Sequence, residues 1–338
     1  MVLKVKENLM IEPIYIFLLY FALGVIYCFK TSNFKNIIFI IFALFFWSFC
    51  LRSFYIGNDF ITYNIVLDLD WSYYQDIYYL REPIYWFFSK FLYEYLVYDK
   101  VYVYFVIDIV FLLSFVFFIK KNKLPEYLVF LFILFFPSVM GIQNVYRQFL
   151  ASFFIVYAIF DENKILFKNF IYLFIAFLLH NVAILFLPFV LLKQKKYFLT
   201  FISFVFLIGI YSYFGGDRSN SDTGDVNPVV YLLAMILIFF GYLIIHKFKI
   251  KFRDNFFINS FVLGFFLYSF SIILMASGQS KRVGMIVLLI NLFALIIYIE
   301  KEYRNTLENK VLIRSFIFIF LTIITVIVPS SRNMLLGG

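Results

Sequence analysis

Apolar blocks as long as a bilayer is thick recur along the whole chain. Residues 11–29, 36–51, 101–119, 198–214, 229–246, 256–276, 284–299 and 312–329 run through almost without a charged side chain. A block of about 20 such residues crosses the hydrocarbon core as a helix. No water reaches that depth, so backbone N–H and C=O groups must be satisfied within the protein, which leaves a helix or a closed barrel. Barrel strands alternate apolar and polar residues, and these blocks do not alternate. The 338 residues are 64% hydrophobic and only 14% charged. Soluble domains carry about 25% charged residues, and disorder needs low hydrophobicity, so both classes are excluded. The expectation is an all-α polytopic integral membrane protein with roughly 10–12 transmembrane helices.

Three stretches fit that scheme less simply. Residues 84–98 are short and aromatic and carry Lys90 and Glu94; 127–160 holds two apolar segments around GIQNVYRQ; 170–191 is long enough to span but has His180–Asn181 at its centre. No small-residue cleavage pattern follows the first block, so 11–29 is expected to be retained. With no internal repeat, residues 1–338 read as a single polytopic membrane domain. Basic connections at Lys30–Lys35, Lys120–Lys123, Lys193–Lys196 and Lys247–Arg253 belong inside by the positive-inside rule, and the acidic stretches 52–83 and 215–227 form outer loops. Lys120 and Lys193 then share a side only if 170–191 turns back near His180–Asn181 and 84–98 stays on the outer surface or re-enters. Broken helices at membrane depth are tolerated where protein or water covers them, so a cavity is expected at these exceptions.

Several chemistries are absent from the sequence. Cys28 and Cys50 both lie in apolar blocks, which indicates no disulfide framework. The two histidines, His180 and His246, form no cluster with cysteine, so neither a metal nor another cofactor is called for. The chain contains no G-x-S-x-G, P-loop or Rossmann glycine string. The net charge of +9 marks the inner face of a membrane protein rather than a nucleic-acid partner.

Polar groups at membrane depth are costly and therefore informative. They are Asp108, the string Asn144, Arg147 and Gln148, the pair His180–Asn181, and Lys281–Arg282. Gln143, Asn144, Arg147 and Gln148 would share one polar side of an apolar helix. Arg147 there is either an arginine snorkelling to the interface or a fixed cation for an anionic group, for which its planar fork suits phosphate. His180 is either a satisfied core histidine or a proton acceptor in a polar cavity. In GNDFITY, Asp59 precedes Tyr63 by one helical turn, so the aspartate is either solvated or a carboxylate beside aromatic platforms. Glu82 stands before Pro83 at a loop-to-helix junction, where capping is the plain alternative. Twelve of the 27 tyrosines fall between Tyr55 and Tyr104; such rings anchor at interfaces and also suit sugar faces.

Four strings carry a resemblance. GNDFITY, REPIYWFFSKFL at 81–92, VYRQFLAS at 145–152 and LLHNVAILFLP at 178–188 resemble the EpsG-like branch of the Wzy-type polysaccharide polymerases. In that group G-x-D-x-x-x-Y, E-P-x-Y, R-Q-x-x-A and H-[SN]-x-A recur in this order. The resemblance implies a glycosyltransferase of surface-polysaccharide assembly (capsule, O-antigen or exopolysaccharide), multi-pass in the bacterial inner (cytoplasmic) membrane and related to the GT-C architecture. Its substrates would be undecaprenyl-diphosphate-linked oligosaccharides, joined on the outer face. The bilayer, a chain-length regulator and a flippase would be further partners. With that chemistry, Asp59, Glu82 and His180 are the candidate catalytic groups. Arg147, Arg81, Arg218 and Arg282 are the candidates for holding the carrier diphosphate, with Asn144, Gln148 and Asn181 in support. The competing readings are a flippase of lipid-linked glycans, another lipid-donor glycosyltransferase or ligase, and an O-acyltransferase.

Overall fold

The computed structural model describes residues 12–30, 37–54, 58–162, 165–214, 227–245, 255–302 and 307–336, and every regular element among them is helical. Helices α1 (Pro13–Cys28) and α2 (Ile37–Phe54) come first. A lobe of short elements follows: α3 (Asn58–Leu67), α4 (Ile77–Leu80) and α5 (Pro83–Phe91), the last continued by a π-helical turn over Leu92–Val97. Then come α6 (Lys100–Lys121), α7 (Tyr127–Leu134), α8 (Phe136–Asn144), α9 (Tyr146–Phe160), α10 (Leu166–Leu179) and α11 (Leu187–Lys193). The last third is α12 (Tyr197–Phe214), α13 (Val229–Ile245), α14 (Phe256–Leu274), α15 (Ser277–Ile297), α16 (Leu307–Ile327) and α17 (Pro329–Leu335).

Each of the eight apolar blocks is thus a helix. By length and composition, four helices among the described residues can cross a membrane, at 100–121, 256–274, 277–301 and 309–327, and the bent pair α7–α8 would be a fifth. Seven shorter apolar helices accompany them, so a count of ten to twelve spans depends on the shorter helices crossing too. The chain is a multi-pass membrane protein. Large apolar side chains such as Phe42, Phe198, Phe201, Phe206 and Ile273 point outward, as they do when the solvent is lipid. Inside, Phe115, Phe132, Phe153 and Phe293 from α6, α7, α9 and α15 form one ring cluster, with centroids as close as 4.4 Å. Helices α14 and α15 approach closely at Gly284, where a Cβ would lie 2.7 Å from the Tyr268 ring, a use of small residues typical of helix pairs in lipid.

Helix ends follow from the residues at them. Asp99 accepts from the Val101 and Tyr102 amides at 2.8 and 3.3 Å and starts α6; Asn255 does the same for α14. Prolines 13, 83, 188 and 329 open α1, α5, α11 and α17, where a missing N–H costs nothing. Pro137 acts differently. It lacks the N–H that Ile133 would need to continue α7, and its ring crowds that carbonyl. The chain opens to φ −72°, ψ 137° at Phe135 and bends by 58° into α8.

The second break falls at His180, extended at φ −157°, ψ 121°. A break in lipid must satisfy the amides it frees. The Asn181 N–H donates to Glu82 Oε1 at 3.4 Å, and the Val182 N–H to the His180 ring at Nδ1, 3.3 Å. The chain then returns through a 3-10 turn and α11 to Lys193, whose ammonium lies 4.6 Å from the Phe256 ring centroid. Phe256 in turn packs at 5.8 Å against Phe160, at the end of α9. Lys121 pairs with Asp161 at that same end. So Lys121 and Lys193 lie at one end of the bundle, and 170–191 turns back at His180–Asn181. Residues 83–97 remain at the other end: Lys90 donates to the Leu67 carbonyl at 2.9 Å and Trp71 Nε1 to Glu94. The 52–83 stretch is accordingly not an open loop. Its described part is the compact lobe of α3, a 3-10 turn over Trp71–Gln75 and α4. Residues 215–226 lie outside the described residues.

Candidate active site

Five separated segments, α4 with Tyr78 among them, meet at the end of the bundle opposite the lysines. They line a polar cavity of about 210 Å³ with Asp59, Tyr63, Arg147, Gln148, His180 and Arg282 among its walls. Asp59 and Tyr63 come from α3, Arg147 and Gln148 from the first turn of α9, His180 from the break after α10, and Arg282 from the second turn of α15.

The first turn of α9 explains Arg147. Val145 departs from helical geometry (φ −137°, ψ 55°), so α8 and α9 are separate helices. The continuous polar side expected over Gln143, Asn144, Arg147 and Gln148 is therefore broken. Gln143 instead lines an apolar cleft near Pro13, Asn144 is half-buried outside the cavity's lining, and Arg147 and Gln148 point into it. The Arg147 guanidinium spreads over three partners. Nη1 pairs with Glu82, Nη2 donates to the Tyr78 hydroxyl at 3.2 Å, and Nε to the Tyr63 hydroxyl at 3.4 Å. Trp86, Tyr78 and Tyr63 surround it with centroids 4.8, 5.6 and 5.7 Å away. This aromatic and acidic cage is a fixed mount, unlike the flexible lipid-facing stem of a snorkelling arginine.

Glu82 is 5% exposed. It makes no capping bond within α5; its carboxylate faces Arg147, the Asn181 amide, and His180 Nε2 at 3.8 Å. Burial pushes its proton affinity up, and the adjacent Arg147 partly offsets this. Asn181 thus serves the site through its backbone. Because His180 Nδ1 accepts from Val182, the neutral imidazole carries its proton on Nε2, facing Glu82. Asp59 accepts from Tyr63 at 3.0 Å through Oδ2. Burial raises its pKa, opposed by that hydrogen bond and by Arg282 and Arg147. Gln148 ties α9 to α15 by donating to the Arg282 carbonyl. Among the described residues no carboxylate pairs with the Arg282 side chain, which is half-buried in the cavity wall. Arg81 is exposed at the end of α4, away from the cavity, and Arg218 lies outside the described residues. No group of three or more His, Cys, Asp or Glu side chains gathers among the described residues as metal ligands would.

Beneath the cavity lies a buried ion pair. Asp108 on α6 receives Arg52 Nε at 2.7 Å and Nη2 at 2.9 Å, Ser48 Oγ at 2.8 Å and the Tyr146 hydroxyl at 2.7 Å. The Arg52 guanidinium also lies 4.4 Å from the Phe60 ring and donates to the Ile142 carbonyl at 3.3 Å. Phe60 neighbours Asp59 and Tyr146 neighbours Arg147, so one saturated network holds the backbone under both. Asp108 stood out in the sequence as a carboxylate within a span, but its partner Arg52 read as part of an outer loop. Tyr78 had only its place in the tyrosine-rich region to mark it, and Trp86 its place in REPIYWFFSKFL.

The chain matches the family model described as EpsG family over residues 35–336. That match takes in most of the chain and every site residue above, so the chain belongs to the EpsG family. No curated protein and no solved structure shows significant similarity to it.

Proposed function

From membership of the EpsG family, which is linked to exopolysaccharide biosynthesis, we propose that this protein polymerises a bacterial surface polysaccharide in the inner (cytoplasmic) membrane. It joins undecaprenyl-diphosphate-linked repeat units on the outer face. One observation carries the reading: Asp59, Arg147 and the Glu82–His180 pair, all within the strings that suggested the family, converge on one polar cavity together with Arg282, which lies outside those strings. The all-helical build supports the GT-C relation.

The chemistry needs three things. A sugar hydroxyl on the incoming repeat attacks the anomeric carbon of the growing chain, whose C–O bond to the carrier diphosphate breaks. The hydroxyl proton must go to a base, and the departing diphosphate must be met by fixed positive charge. Asp59 suits the base. It lines the cavity, its only hydrogen bond among the described residues is from Tyr63, and its raised proton affinity favours accepting a proton. His180 has spent Nδ1 on Val182 and offers a donor at Nε2, while Glu82 holds Arg147 and the Asn181 amide. These two position the site. Arg282 makes no ion pair among the described residues and receives the diphosphate. Arg147 reaches it as a fork already oriented by its cage, and Tyr78, 44% exposed, offers a ring to a sugar face.

Purified protein given one lipid-linked repeat tests this. A ladder of longer lipid-linked glycans is expected. Intact repeat moved across a liposome, with no ladder, would instead make the protein a flippase.

A further inference from the structure

The lysine-rich end of the bundle carries a second cavity, larger than the first. A groove of about 330 Å³ opens between α6, α9 and α10, walled by Phe117, Phe118, Phe154, Tyr157 and Tyr172 and closed at its mouth by Lys121 and Asp161. Helix α9 separates it from the polar cavity by its length, on the order of 20 Å at the usual rise per residue. The groove is apolar along its walls and charged at its mouth. Asp161, whose side chain is 1% exposed, takes both of its oxygens to Lys121 at 2.8 Å and one to Lys168 at 3.2 Å. The lysine side chains remain 48% and 34% exposed. Two ammonium groups therefore share one carboxylate. Within 120–123, 161–162, 168 and 301 there are five lysines and two acids, Glu162 being taken by Lys301. The mouth keeps a positive excess at the level where the apolar walls end. Deeper in, Ser114 and Tyr157 satisfy each other at 2.8 Å, so the walls present rings with no unmet polar demand. Outside, Phe117 and Phe174 stand 56% and 60% exposed and continue the apolar surface along α6 and α10.

We propose that this groove binds an anionic glycerophospholipid of the leaflet that the lysine-rich end faces. The phosphodiester sits between Lys121 and Lys168, the glycerol backbone enters the aromatic groove, and the acyl chains run along the exposed faces of α6 and α10. Charge complementarity selects the occupant. A zwitterionic headgroup would bring a third ammonium against the two lysines, whereas an anionic headgroup relieves their crowding on Asp161. The site is independent of the polymerisation reading, because it lies at the other end of the bundle and its readout is lipid occupancy.

Full-length protein is incubated with equimolar phosphatidylglycerol and phosphatidylcholine, and bound lipid is read by native mass spectrometry. Each lysine near an anionic lipid favours it by about fivefold. The wild type should therefore retain phosphatidylglycerol over phosphatidylcholine by roughly tenfold or more after competition with Asp161. K121Q/K168Q should bind the two equally. D161N, which removes the competing carboxylate, should raise the preference, whereas a triad that only braces the fold would lose it in both variants. S114W keeps every charge but fills the groove, and should lose bound lipid. Equal retention of the two lipids by the wild type overturns the proposal, as does a preference that survives K121Q/K168Q or disappears in D161N. Preferential retention of an added polyprenyl monophosphate over phosphatidylglycerol would overturn the assignment of the occupant.

Discussion

Replacing Asp108 by asparagine preserves shape and removes one charge. In the native protein four donors converge on this carboxylate, which is 1% exposed, and two of them come from Arg52, itself 6% exposed. Asparagine offers one acceptor oxygen and turns an NH2 toward groups that are themselves donors. Arg52 then keeps its charge in an apolar site with no counter-ion. Breaking a buried pair from one side costs about 3–5 kcal/mol, a large share of a typical stability. The melting temperature of detergent-solubilised D108N, followed by fluorescence-detected size exclusion, should drop on the order of 10 °C. D108N/R52M should recover most of that loss, because it removes the buried charge that D108N leaves without a counter-ion. The Ser48 and Tyr146 hydroxyls still have the amide oxygen that D108N supplies to donate to. Polymer formation should fall in D108N, since the network underlies Phe60 and Tyr146. A D108N protein that melts with the wild type, or a double variant that melts no higher than D108N, would refute this account of the network.

Other perturbations address the site itself. R147K keeps a charge beside Glu82 but loses the bonds to Tyr63 and Tyr78, so polymerisation should drop on the order of 10- to 100-fold at unchanged protein level; wild-type activity would leave the cage without a role. For Asp59, the raised pKa means that the wild-type rate falls with decreasing pH above the ordinary carboxylate range. D59N should lose that limb and on the order of 100-fold or more in rate, and a D59N enzyme that keeps the limb would remove Asp59 as base. The same shift makes an ionised Asp59 a stability cost, since its contribution is favourable below the unfolded-state pKa and lost as pH rises through the folded one. D59N should therefore melt slightly above the wild type at neutral pH. In a background without Cys28 and Cys50, an impermeant maleimide applied to spheroplasts should label a cysteine at Ser72 and spare one at Lys195; the reverse pattern would put the polar cavity on the inner face.

Much of this protein is legible in one dimension because lipid is an uncompromising solvent. Apolar length alone marks all eight long blocks as helices, although α15 begins seven residues before its block and α16 five. The parity of basic connections locates a reversal at His180–Asn181, since charge must end up on one side. Asp59, Glu82, Arg147, His180 and Arg282 were each readable as candidates, because a polar group at membrane depth or inside an ordered set of strings has few ordinary reasons to be there.

What the sequence did not contain was the company each residue keeps. Whether Gln143, Asn144, Arg147 and Gln148 share a helix side depended on Val145 leaving helical geometry, which no propensity announced. The partnership of Glu82 with Arg147 spans 65 residues, and that of Arg52 with Asp108 spans 56. Hydropathy reports how deep a side chain sits but not which neighbour it meets there. His180 shows the difference: its type and depth suggest a base, yet the break it sits on spends one ring nitrogen on the Val182 amide. The chain's own composition determined that it must fold as helices in a membrane. Only the packing of those helices decided which charges would neutralise one another and which, like Arg282, would be left facing a cavity.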